Sequence, residues 1–138
     1  MEAKDLTIND INIGDKSSFE RTFTENDIQV FAGLSGDVNP LHVDERYAKT
    51  TIFKQRLVHG MLVGSLCSTL VGMYLPGKRC LYLKQKLSFK KPVFIRDTLN
   101  VFGWVVAKSE VTKILTIIIH IKRGKEIVLE GEAIVQVL

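Results

Sequence analysis

Leu57-Val58-His59-Gly60-Met61-Leu62-Val63-Gly64-Ser65-Leu66-Cys67-Ser68-Thr69-Leu70-Val71-Gly72-Met73-Tyr74-Leu75 contains no aspartate, glutamate, lysine or arginine. About 20 consecutive apolar residues would suffice to cross a bilayer. Here His59, Ser65, Ser68 and Thr69 interrupt the run and amphipathic segments follow it at once, so no membrane span is expected. A helix that is apolar on nearly every side belongs instead at the centre of a domain. Gly60, Gly64, Ser68 and Gly72 recur every fourth residue and set small side chains along one helical face. That stripe lets a strand or a flat ligand come close.

Alternating segments follow. Leu81, Leu83, Leu87 and Phe89 alternate with Tyr82, Lys84, Lys86 and Ser88, the period of a half-buried strand. Leu99, Val101, Val105 and Ala107 repeat it, as do Leu115, Ile117, Ile119 and Ile121, then Ile127, Leu129, Ala133, Val135 and Val137. Arg123-Gly124-Lys125 predicts a hairpin turn, Pro92 a bend and Gly103 a bulge. Before the apolar run, Ser17 to Phe23 predicts a short strand. Thr24 then caps a helix with Glu25 and Asp27 in its first turn and Ile28, Phe31, Ala32 and Leu34 on its apolar face. Gly36 ends it, and Asp44 caps a second short helix through Tyr47 and Lys49. Thr50 to Arg56 is a polar connector. The expected architecture over residues 1–138 is a single α+β domain, an antiparallel sheet wrapped around one long central helix.

Composition agrees with one core: 138 residues, 46% hydrophobic and 25% charged. Cys67 and Cys80 are the only cysteines, and Met1 to Asp10 has no apolar or Arg-rich targeting pattern. A reducing, cytoplasmic setting is therefore expected, with both thiols free.

The chemistry concentrates in Gly36-Asp37-Val38-Asn39-Pro40-Leu41-His42-Val43-Asp44. Asn39 precedes a proline and is pushed out of the helical region, while Pro40 fixes its own φ. The chain must turn, and a turn there can aim Asp37 and His42 at one water molecule. Imidazole titrates near neutrality and a carboxylate can orient its proton, so the pair suits general acid–base work. Polar side chains that merely cap backbone groups would explain the same residues. Val58-His59-Gly60-Met61 opens the apolar helix, whose first turn carries unpaired N–H groups and a partial positive charge. Gly60 has no side chain to keep an oxygen away from its N–H. His59 is expected to cap or pack, with a role as a ligand or a second base as the other option.

Other chemistries fit less well. Asp37, His42, Asp44 and His59 could hold a metal on paper, but no metal-ligand spacing is present, and none is expected. Cys67 sits within the apolar helix as an inert thiol. Ser68 lacks a nucleophile motif, though it could hydrogen-bond the acid across the cleft. Lys78, Arg79, Lys84, Lys86, Lys90, Lys91 and Arg96 occur without an intervening acid. A solvated sheet face is the usual reason for such a run, and attraction of phosphates is the functional one. No interleaved aromatics or recognition motif point to nucleic acid.

The D-x-N-P-x-H element at Asp37 to His42, together with the downstream His59-Gly60-Met61, resembles the MaoC-like hot-dog hydratases, in particular the bacterial (R)-specific enoyl-CoA hydratases. The likeness runs from about Phe23 through Leu138 and includes Leu75-Pro76-Gly77-Lys78 and Leu87-Ser88-Phe89-Lys90-Lys91-Pro92-Val93. It implies a hot-dog fold, a homodimer with one continuous sheet, and no cofactor. Asp37 and His42 would activate one water for addition to a trans-2-enoyl thioester, and the Gly60 N–H would polarise the thioester carbonyl. Ser68 would support Asp37, and Val71 is expected to line the acyl channel. Asn39, His59, Met61, Lys84 and Lys86 complete the expected substrate contacts, the lysines facing coenzyme A or an acyl carrier protein. A hot-dog thioesterase and a non-catalytic acyl-carrier-binding protein are the rival readings. The absence of any acid in residues 60–75 counts against the thioesterase.

Overall fold

A computed structural model describes residues 1–138. The chain runs through β1 (Lys16–Thr22), α1 (Glu25–Ser35), α2 (Pro40–Val43), α3 (Glu45–Thr50), α4 (Gly60–Thr69), β2 (Cys80–Phe89), β3 (Thr98–Ser109), β4 (Ile114–Arg123) and β5 (Glu126–Val137). The strands form one antiparallel five-stranded sheet in the order β1-β3-β4-β5-β2. α4 lies along its inner face, which is the hot-dog arrangement. No helix is long and apolar enough to cross a membrane.

Local chemistry explains the boundaries. Thr24 caps α1 in a reciprocal box with Asp27, and Gly36 closes that helix in the left-handed region at φ +80°. Pro40 occupies the first turn of α2, where its missing N–H costs nothing, and Asn39 Oδ1 accepts the Leu41 N–H at 2.9 Å. Asp44 caps α3 by accepting from Tyr47 N–H at 3.1 Å. The central helix is shorter than the apolar run: Leu57 to His59 are extended, Gly60 is the first helical residue, and Leu70–Tyr74 continue as a π-helical turn.

The core is the interior of this wrap. Leu115, Ile117, Ile119 and Ile121 on β4 are fully buried, as their alternation predicts. β2 departs from its alternation. A bulge between Tyr82 and Lys84 shifts the phase, so Leu81 and Leu83 are exposed while Cys80, Tyr82, Gln85 and Leu87 are half-buried. On β3 the irregularity falls between Val105 and Ala107, which leaves Ala107 exposed, and not at Gly103. Gly103 serves packing instead, because a Cβ there would sit 2.0 Å from Leu70 Cδ2. Leu34 is also on the outside of α1, exposed by 84%, while Ile28 and Ala32 are the buried residues of that helix. The small-residue stripe of α4 faces β2 at two of its positions. A Cβ on Gly60 would meet the Phe89 ring at 3.1 Å, and one on Gly64 would meet Leu87 Cδ1 at 2.9 Å.

Candidate active site

The turn between α1 and α2 lies against the start of α4. Asp37, His42 and His59 each place one oxygen or ring nitrogen within 4.8 Å of the other two. Several bonds fix this cluster. Asp37 N–H donates to Ser35 Oγ at 3.2 Å, and Asp37 Oδ1 accepts the Asn39 N–H at 3.2 Å. His42 Nδ1 lies 2.9 Å from the Leu57 carbonyl oxygen. A carbonyl can only accept, so Nδ1 carries the proton and Nε2 keeps a lone pair. By the same logic His59 Nε2–H donates to the Asp37 carbonyl at 2.9 Å, and its buried Nδ1 has no partner in the chain. The two imidazoles stack with centroids 4.0 Å apart at 26°, and Phe31 meets His59 edge-on at 4.9 Å.

His59 thus packs and holds, and it makes no side-chain cap bond to α4. Asp37 is exposed and His42 half-buried, so both reach solvent. The N–H groups of Gly60, Met61 and Leu62 find no acceptor in the chain; Val63 is the first of the helix to do so, at the His59 carbonyl. Three free donors at a helix start therefore follow directly on the His42/His59 stack. Asp37, His42 and His59 also carry the donor types of a transition-metal site. However, the stacked rings direct their in-plane lone pairs side by side and not toward one point.

Gly60 opens onto a cavity of about 290 Å³, whose wall includes Phe53, Leu57, Val63, Phe89, Pro92 and Val93. Lys90 and Lys91 are its only charged lining residues. Not every expected contact gathers here. Met61, exposed by 61%, is in the first turn of α4, and Asn39 spends its side-chain oxygen on capping. Ser68 does not reach Asp37: it lies nine residues past His59, roughly 13 Å along the helix. Val71 is fully buried in the core and borders no cavity. Lys84 and Lys86 pair in register with Ile134 and Glu132 on the outer side of the sheet, away from α4. Cys67 is an inert thiol as expected, its pKa pushed up to about 12 by burial. The sequence offered no sign of the His42/His59 stack or of the Leu57 carbonyl, because both are tertiary contacts.

The MaoC like domain profile matches residues 9–123, and the chain belongs to that family. Among its relatives, an (R)-specific enoyl-CoA hydratase of Rhodospirillum rubrum is 42% identical, covering 99% of this chain and 97% of that protein. An (R)-specific enoyl-CoA hydratase of Aeromonas caviae is 40% identical over 95% of this chain and 98% of its own length. Among solved structures, the A. caviae (R)-hydratase involved in PHA biosynthesis superimposes with a TM-score of 0.89, covering 93% of this chain and 98% of that one. The Pseudomonas aeruginosa R-hydratase in its unliganded form gives 0.93 at 34% identity, with 98% and 87% covered.

Proposed function

We propose that the protein is an (R)-specific enoyl-CoA hydratase, a carbon–oxygen lyase that adds water to a trans-2-enoyl-CoA to give the (R)-3-hydroxyacyl-CoA. The reverse dehydration uses the same groups. The observation that carries this reading is the clustering of Asp37, His42 and His59 within 4.8 Å immediately before the unpaired N–H groups of α4. The Asp37 carboxylate and His42 Nε2 are both acceptors, so one water can offer a hydrogen to each. As its oxygen bonds C3, one proton passes to the pair and negative charge moves through C2 onto the thioester oxygen. The Gly60 N–H stabilises that oxyanion, and C2 then takes a proton back from the pair. A fixed donor of this kind is worth about 10²–10³ in rate and the acid–base pair about 10²–10⁴. No step draws on electrons or groups beyond water and the thioester.

Two further elements belong to the proposal. β2 ends the sheet with an unpaired edge and exposes Leu81 and Leu83 by 46% and 49%. A homodimer joined at this edge would cover them and make the sheet continuous. The cytoplasm suits the two free cysteines.

The test is to mix the protein with crotonyl-CoA and follow enoyl absorbance and free thiol together. Loss of absorbance without thiol, with the (R) product on chiral analysis, is the expected result. Thiol release would replace the hydratase by a thioesterase, and no change in either signal would leave only a binding protein.

A further inference from the structure

Coenzyme A brings phosphate groups to any site that takes its thioesters, and the basic run Lys78 to Arg96 contains more cations than one ligand needs. The fold sorts them. Lys86 and Ser88 point to the outer face of the sheet, where Lys86 Nζ lies 3.6 Å from Glu132. Lys84 shares that side, opposite Ile134. Lys78 Nζ and Arg79 Nε are held by Asp5 at 2.7 and 2.5 Å. Lys90 and Lys91 follow the last inward residue of β2, Phe89, and border the cavity that opens at Gly60.

We infer that Lys90 and Lys91 hold the phosphate groups of coenzyme A, with the pantetheine arm lying in the apolar cavity between them and Gly60. The inference rests on the hydratase reading only in placing the thioester carbonyl at the Gly60 N–H. The cavity that opens there is walled by Phe53, Leu57, Phe89 and Pro92 and lined also by the two lysines. Their backbone is anchored: the N–H groups of Lys90 and Lys91 both donate to the Val128 carbonyl, at 2.9 and 3.3 Å. Their side chains are exposed and available. Lys91 enters no ion pair within the chain, whereas Lys90 leans toward Glu130, opposite Ser88 on the outer side of the sheet, at 3.8 Å with both groups near half exposure, and swings from there to reach the cavity. Such a pair is weak in water and yields readily to a phosphate, which accepts shorter charge-assisted bonds. The apolar wall suits the uncharged arm, and the cations stand where the charge of the ligand resumes.

Calorimetry of the full chain with coenzyme A and with pantetheine, at low ionic strength, tests the assignment. The Lys90→Ala/Lys91→Ala variant is expected to weaken coenzyme A binding by about fivefold to twentyfold, leaving pantetheine binding within twofold. The difference should shrink at about 0.5 M salt, where the screening length is a few ångströms. Equal losses for both ligands would mean a packing role and overturn the inference, as would an undiminished affinity for coenzyme A. A larger loss from Lys84→Ala/Lys86→Ala would overturn it too, by moving the phosphates to the outer face. A protein that binds coenzyme A through these lysines but never hydrates crotonyl-CoA supports the inference and sinks the hydratase reading, so the two fail separately.

Discussion

At His59 an imidazole exposed by 1% donates to the Asp37 carbonyl, stacks on His42 and lies edge-on to Phe31. It touches Asp37 and His42 without offering a lone pair to solvent, so in the proposed reaction it would position them. This separates two kinds of variant. Asp37→Asn and His42→Ala remove groups that meet the water, and each should lower kcat by about 10²–10⁴ with KM and circular dichroism nearly unchanged. His59→Phe keeps a ring in the stack but leaves the Asp37 carbonyl without its donor. That change should cost about 1–3 kcal/mol of stability and lower kcat about tenfold, with KM held. Full turnover in His59→Phe would show that the bond has no part in aiming Asp37. The sequence made Asp37 and His42 legible, since an Asn-Pro turn constrains the backbone between them and so declares that the chain folds back there. It left His59 between capping or packing and a role as a ligand or second base. The contact that decides its role spans 22 residues and depends on where α4 docks, which no local pattern records.

Among the elements, those defined by local chemistry were legible and those defined by sheet irregularities were not. The box of Thr24 and Asp27 marks the start of α1, and Gly36 marks its end, each through bonds to neighbouring residues. The same box makes a prediction about pH. Asp27 is held below its usual value of 3.8, first by the Thr24 N–H at 2.8 Å, then by the Thr24 hydroxyl and the Arg21 guanidinium. A folded pKa that is depressed favours the folded chain above the unfolded pKa, and the benefit disappears as pH falls through the folded value. Asp27→Asn should therefore be less stable than the parent at pH 7, with the two melting curves converging below about pH 4. A gap that stays constant down to pH 2 would assign the effect to packing and not to the charge. β2 and β3 show the converse. Bulges near Leu83 and Val106 each insert one residue, and one inserted residue sends every later side chain to the other face. A period of two cannot reveal where it slips.

The whole molecule is a sheet with two free edges, β1 and β2, and they are unlike each other. β1 presents mostly polar residues, Lys16-Ser17-Ser18-Phe19-Glu20-Arg21-Thr22, whereas β2 exposes Leu81 and Leu83 in one strand. An edge of unpaired N–H and C=O groups beside exposed leucines is a template for a second chain unless it is covered. β2 also runs along α4 and leads into Lys90 and Lys91, so a partner seated there would border the same cavity that opens at Gly60. That placement allows Ser68, out of reach of Asp37 in its own chain, to come near another chain's site. Lysine on an edge strand is a common barrier to strand pairing, because its charge would have to be buried at the junction. Leu83→Lys sits in the bulge, where its longer side chain can extend into water without disturbing the core of its own subunit. The unsubstituted protein should sediment as a dimer at micromolar concentration and Leu83→Lys as a folded monomer with sharply reduced hydration of crotonyl-CoA. A parent protein that sediments as a monomer and still turns over crotonyl-CoA would put the complete site within one chain. A Leu83→Lys variant that stays dimeric would move the contact away from β2.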